Sequence, residues 1–99
     1  MDYVPLKSVP AQKLGILLAE QNCQIGLYQK SNGMYLDLFL DNKPIATSVL
    51  CRDRIRLIRR EYSRFEGDLM FFDTQGKHDP DYTGLGGRFL LVYLPISAV

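Results

Sequence analysis

Six of the seven arginines in this 99-residue chain fall between Arg52 and Arg64. They are Arg52, Arg54, Arg56, Arg59, Arg60 and Arg64, and no other chemistry in the sequence is so concentrated. Guanidinium forks suit phosphates, and Tyr62 or Phe65 could stack on bases, so one reading is a nucleic-acid surface. The other pairs these arginines with Asp53, Glu61, Glu66, the acidic loop further on, or acids of another subunit. Twelve basic residues against eleven acidic ones leave a net charge of +1. No global field therefore recruits nucleic acid or a membrane, and dedicated nucleic-acid domains are usually distinctly basic. The totals favour solvated or protein-facing charge.

The remaining constellations are thinner. His78 with Asp73, Asp79 and Asp81 offers one imidazole and three carboxylates, enough in kind for a divalent ion. The group sits on a glycine-rich loop without a companion motif, and an ordinary solvated loop is the plainer account. A serine or cysteine nucleophile would have to share His78 as its base, and no strand–turn–helix elbow is present. Gly84-Leu85-Gly86-Gly87 fails as a phosphate cradle because it precedes a strand, where such glycines should open a helix. Backbone freedom at a sharp loop explains it better. Cys23 and Cys51 both fall on apolar phases and read as buried free thiols. Neither an enzyme nor a cofactor is indicated.

The elements around these residues are strands. Cys23, Ile25 and Leu27 alternate with Gln24, Gly26 and Tyr28; after Ser31-Asn32-Gly33, Met34, Leu36, Leu38 and Leu40 alternate with Tyr35, Asp37 and Phe39. A period of two is what a strand with one face on a core requires. Asp41-Asn42-Lys43 turns the chain into a third run through Ile45, Thr47, Val49 and Cys51. Before these lies Leu14–Leu18, read as a hairpin partner rather than a helix because Gly15 weakens a helix. Ile55, Ile58, Tyr62 and Phe65 are spaced as a helical face, so residues 52–65 form either a short amphipathic helix or a long basic connection. Alternation of Ile55 and Leu57 against arginines would instead make 54–58 extended. Leu69–Phe72 is a brief strand and residues 73–87 a loop of functional length. Arg88–Leu94 is apolar on both phases, as suits a central strand or one covered by a subunit contact.

The expectation is a single all-β domain over residues 1–99, with at most one short helix and an extended N-terminal arm over residues 1–12. Its architecture is a small antiparallel β-barrel or sandwich of about six strands. No signal peptide is indicated at Met1–Pro5.

Order and spacing across nearly the whole chain then add a resemblance. Val4-Pro5-Leu6, Val9-Pro10-Ala11-Gln12, the Leu14–Leu18 to Cys23–Tyr28 hairpin and Gly33-Met34-Tyr35-Leu36-Asp37 come first. Asp41-Asn42-Lys43 with Pro44-Ile45, Gly67-Asp68-Leu69, Asp79-Pro80-Asp81-Tyr82, Leu85-Gly86 and Leu90–Leu94 follow. Together they resemble the small bacteriophage and prophage baseplate plug proteins, typified by the cyanophage baseplate plug. The arginine run lies outside the shared pattern.

The resemblance implies a non-enzymatic structural part of a contractile-tail baseplate, near the central hub and tail tube. It would be synthesised in the host cytoplasm and end in the virion tail. Its implied partners are hub, tube or wedge proteins and copies of itself, with neither nucleic acid nor a membrane among them. Asp79, Pro80, Asp81, Tyr82, Gly84, Leu85 and Gly86 would form a contact loop, with Tyr82 its anchoring aromatic. The alternative is a small nucleic-acid-binding β-barrel that uses the Arg52–Arg64 run.

Overall fold

The computed structural model describes residues 2–59 and 64–95. Seven strands are present among them: β1 (Asp2–Val4), β2 (Ala11–Leu18), β3 (Gln21–Lys30), β4 (Gly33–Leu40), β5 (Lys43–Leu50), β6 (Asp68–Asp73) and β7 (Phe89–Leu94). They form two antiparallel sheets, in the orders β2-β3-β4-β5 and β1-β7-β6. The all-β expectation holds, and the choice between barrel and sandwich resolves to a sandwich. The strand not anticipated is β1, which lies along β7 of its own chain.

Turn chemistry sets the four-stranded meander. Ala19-Glu20 and Asp41-Asn42 occupy two of the three hairpin tips with φ of 50°, 63°, 51° and 65°. Left-handed conformations at both central residues match the twist of the flanking strands. The register then aligns Leu14 with Ile25 and Ile25 with Leu38, keeping the apolar phases on one face. Leu18, Cys23, Ile25, Leu27, Met34, Leu36 and Leu38 are at most 1% exposed and share one core with Leu69, Phe71, Phe89, Leu91 and Tyr93 of the facing sheet. Each such side chain contributes about 1.5–3 kcal/mol on burial.

β5 departs from its sequence pattern. Its pairing with β4 slips by one residue between Leu36 and Leu38 and again between Leu38 and Phe39. The inward residues are thus Ala46 opposite Leu38 and Val49 opposite Leu36, while Thr47 is exposed. Ser48 takes φ 54° at the first slip, and its backbone N–H donates to Asp37 Oδ1 at 2.7 Å. Tyr28, whose hydroxyl lies 3.0 Å from Ser48 Oγ, completes the clasp on the outer face. A bulge of this kind turns the strand and re-aims the side chains beyond it.

β7 is central between β1 and β6, which explains its apolar phases. Phe89, Leu91 and Tyr93 enter the core, whereas Val92 has Tyr3 and Met70 as cross-strand neighbours and is 1% exposed. The outer edge of β6 is covered by the arginine-bearing segment. Arg54 and Leu57 donate their backbone N–H groups to Phe71 O (2.8 Å) and Leu69 O (2.9 Å). That segment is not a helix over residues 52–59, and the helical turn seen among the described residues is a three-residue 3-10 turn, Tyr82–Gly84. Nor does it alternate. Leu57 and Ile58 are both buried, Ile55 points out, and Arg54 and Arg59 break the run with φ of 58° and 51°.

Candidate protein interface

Two surfaces gather the residues singled out by sequence, and both are positioned by carboxylates at the ends of β6. Asp68, 2% exposed, accepts backbone N–H groups from Ile58 (2.8 Å), Arg59 (2.9 Å) and Leu69 (2.7 Å). It fixes the C-terminal part of the arginine segment. Asp73, equally buried, fixes the long loop. Its Oδ1 accepts from Arg88 Nε and Gln75 N, its Oδ2 from Arg88 Nη2 and His78 N, at 2.8–2.9 Å throughout. The Arg88 hydrogen bonds hold the Asp73 carboxyl well below the usual carboxylate range, against the opposing effect of burial. Asp73 raises Arg88 in turn.

The Asp79–Gly86 loop is fastened to its own domain. Asp79 Oδ1 accepts from Asp53 N at 3.0 Å, and Pro80 is buried. Asp81 caps the 3-10 turn by accepting from Thr83 N at 2.9 Å. The backbone N–H of Tyr82 donates to Gln29 Oε1 at 3.1 Å, and its ring packs against the core. Leu85 is 5% exposed. Gly84 and Gly86 are required for different reasons. A Cβ on Gly84 would sit 2.6 Å from the Phe89 ring, while Gly86 has φ +82° and would drive a Cβ to 2.6 Å from Leu6 O. The arm reaches the same place, since Ser8 Oγ donates to the carbonyl oxygens of Tyr82 and Thr83 at 2.9 and 3.0 Å. Arm and loop therefore present one continuous, internally braced surface.

The arginines separate into two kinds. Arg54 is engaged with Asp53, Gly76 O and the Phe72 ring. Arg52, Arg56, Arg59 and Arg64 are exposed. The first three line a hollow of about 500 Å³ with Val49, Leu50 and Ile55. Arg60 and Tyr62 lie outside the described residues. Phe65 is buried against Tyr93 and is not free to stack on a base.

Against this geometry stands a match of the family model described as cyanophage baseplate Pam3 plug gp18, over residues 1–96. The chain belongs to that baseplate plug family. A comparison with curated proteins gave no match. For a baseplate plug, the constellations that first suggested chemistry have structural work. Among the described residues, no group of three or more His, Cys, Asp or Glu is placed to hold a metal. Asp73, Asp79 and Asp81 accept the bonds just described, separately. Cys23 and Cys51 are buried thiols, and burial pushes the Cys51 thiol up to about 12.

What sequence reasoning missed in the plug is the burial of two carboxylates, Asp68 and Asp73. Both flank Leu69–Phe72, and an acid at each end of so apolar a run was the available signal. Arg88, separated from the other arginines, is the second omission; it follows the last glycines of the loop that it braces.

Proposed function

We propose that the chain is a non-enzymatic structural component of a contractile phage or prophage tail baseplate, seated near the central hub and tail tube. It acts by protein–protein assembly, with hub, tube or wedge proteins and copies of itself as partners. It is made in the host cytoplasm and incorporated into the tail of the virion. The family match over residues 1–96 carries this reading. The Asp79–Gly86 loop serves as a contact element together with the arm. Asp79, Thr83 and Gly86 are exposed on a frame whose Pro80, Leu85 and Asp73 are buried beneath it. A surface braced from within loses little entropy on docking, which favours assembly.

The test is affinity capture of the tagged protein from cells producing the neighbouring tail genes, with mass spectrometric identification of what is retained. Tube, hub or wedge proteins are expected. Recovery of nucleic acid or metabolic enzymes without tail proteins would overturn the assignment. Deletion of residues 79–86, replaced by a short linker, should prevent incorporation into tails; undiminished incorporation of a folded deletion variant would remove the loop from the interface.

A further inference from the structure

We propose that the hollow between β5 and the 52–59 segment receives an acidic, apolar-anchored segment of a neighbouring baseplate protein, an inference that rests on the assembly reading above. Val49, Leu50 and Ile55 provide the apolar part of the hollow, and Arg52, Arg56 and Arg59 the charge. None of these three guanidinium groups has an ion pair among the described residues, in contrast with Arg54 and Arg88. Three like charges around one concavity repel each other, and a carboxylate placed among them relieves that repulsion. Ile55 is 43% exposed, one of three large hydrophobic side chains that stand out among the described residues.

The platform is rigid. Backbone bonds from Arg54 and Leu57 to β6 hold the chain on both sides of Ile55, and Asp68 holds Ile58 and Arg59. The bulge at Ser48 re-aims the end of β5, which brings Val49 and Leu50 to the same hollow. Apolar contact ringed by guanidinium groups, on a backbone that need not reorganise, is the composition of a protein-binding hot spot.

A carboxylate meets the planar fork of arginine with two parallel hydrogen bonds, and an apolar side chain beside it fills the floor. A peptide fits better than nucleic acid. Among the described residues, no aromatic ring lines the hollow. Tyr35, the cross-strand neighbour of Leu50, is stacked on Tyr28 at 5.9 Å, and the Lys30 ammonium lies 5.1 Å from its centroid. Its ring is thus already engaged, whereas single-strand binding needs free stacking platforms along a basic track.

The test places a photo-cross-linking amino acid at Ile55 in cells that assemble tails. Presence of the protein in purified tails is measured first, by immunoblot. Irradiation is expected to join it to one other baseplate protein, through a peptide in which aspartate or glutamate adjoins an apolar residue. Arg52→Glu combined with Arg56→Glu should leave the melting temperature unchanged and cut the cross-link yield about tenfold or more. A cross-link to a second copy, to DNA or to a peptide without acids would overturn the proposal, as would no cross-link or an undiminished yield in the double variant. Absence of the protein from tails would instead sink the baseplate reading on which the proposal stands.

Discussion

Arg88 Nε and Nη2 lie 2.8 and 2.9 Å from the two carboxylate oxygens of Asp73, and the pair joins the last residue of β6 to the residue just before β7. The loop between them is therefore closed by a bidentate ion pair as well as by the strand ladder. Thr74, which donates to Arg88 O through both its backbone N–H and its hydroxyl, tightens the same closure.

This pair gives a pH dependence. The Asp73 carboxyl is held below its ordinary value in the folded state, mainly by Arg88, so the folded protein binds fewer protons there than the unfolded chain. Its contribution is fully present above the unfolded carboxyl pKa of about 3.9 and is lost as pH falls through the lower folded value. Asp73→Asn removes it. Urea unfolding of both proteins should show a constant stability gap at neutral pH that narrows in acid, below about pH 4. A gap independent of pH would refute the assignment.

Asp68 yields a stability prediction of a different kind, since its partners are three backbone N–H groups rather than a side chain. Asp68→Ala strands them, and a buried donor left unpaired costs about 1–3 kcal/mol. Destabilisation of roughly 2–5 kcal/mol is expected, with the 57–59 backbone losing hydrogen-exchange protection first. Asp68→Asn should fall between, because its amide keeps one acceptor and turns a second donor towards a backbone donor. A loss below the cost of one unpaired donor would mean that water replaces the carboxylate.

The loop glycines separate by cause. Gly86→Ala combines a left-handed φ with a Cβ 2.6 Å from a backbone oxygen and should cost about 1–3 kcal/mol. Gly84→Ala meets the Phe89 ring at 2.6 Å, which must shift, and Arg88 Cβ at 3.3 Å, and should also destabilise. Gly87→Ala meets nothing within 4 Å and should stay within about 0.5 kcal/mol of wild type. Thermal melts of the three variants decide it; equal effects at all three would show that the loop relaxes freely.

The same contrast explains what could be read in advance. The β2–β3–β4 meander was legible because alternation and two-residue turns report the same register. β5 was not, since two one-residue slips move the inward phase to Ala46 and Val49 without changing the composition. In the 52–59 segment, Ile55 and Ile58 carry a helical spacing, yet Asp68 and the β6 carbonyls claim the backbone N–H groups. Long-range partners overrode local periodicity there. The loop was recognised, but Asp73 and Arg88 are fifteen positions apart, and nothing local links an acid to its arginine at that separation.

The cysteines provide a probe of the sandwich as a whole. Cys23 and Cys51 are 0% and 1% exposed, and burial raises both thiols, Cys51 to about 12. Alkylation requires the thiolate and access to it. At pH 8, iodoacetamide should therefore modify neither in the folded protein over the time that a free thiol reacts to completion. Both should react once urea unfolds the chain. Because each thiol belongs to the core between the sheets, alkylation should follow global opening, and Asp68→Ala should accelerate both sites together. Fast reaction at one cysteine alone, in the wild type, would mean that part of the sandwich opens independently.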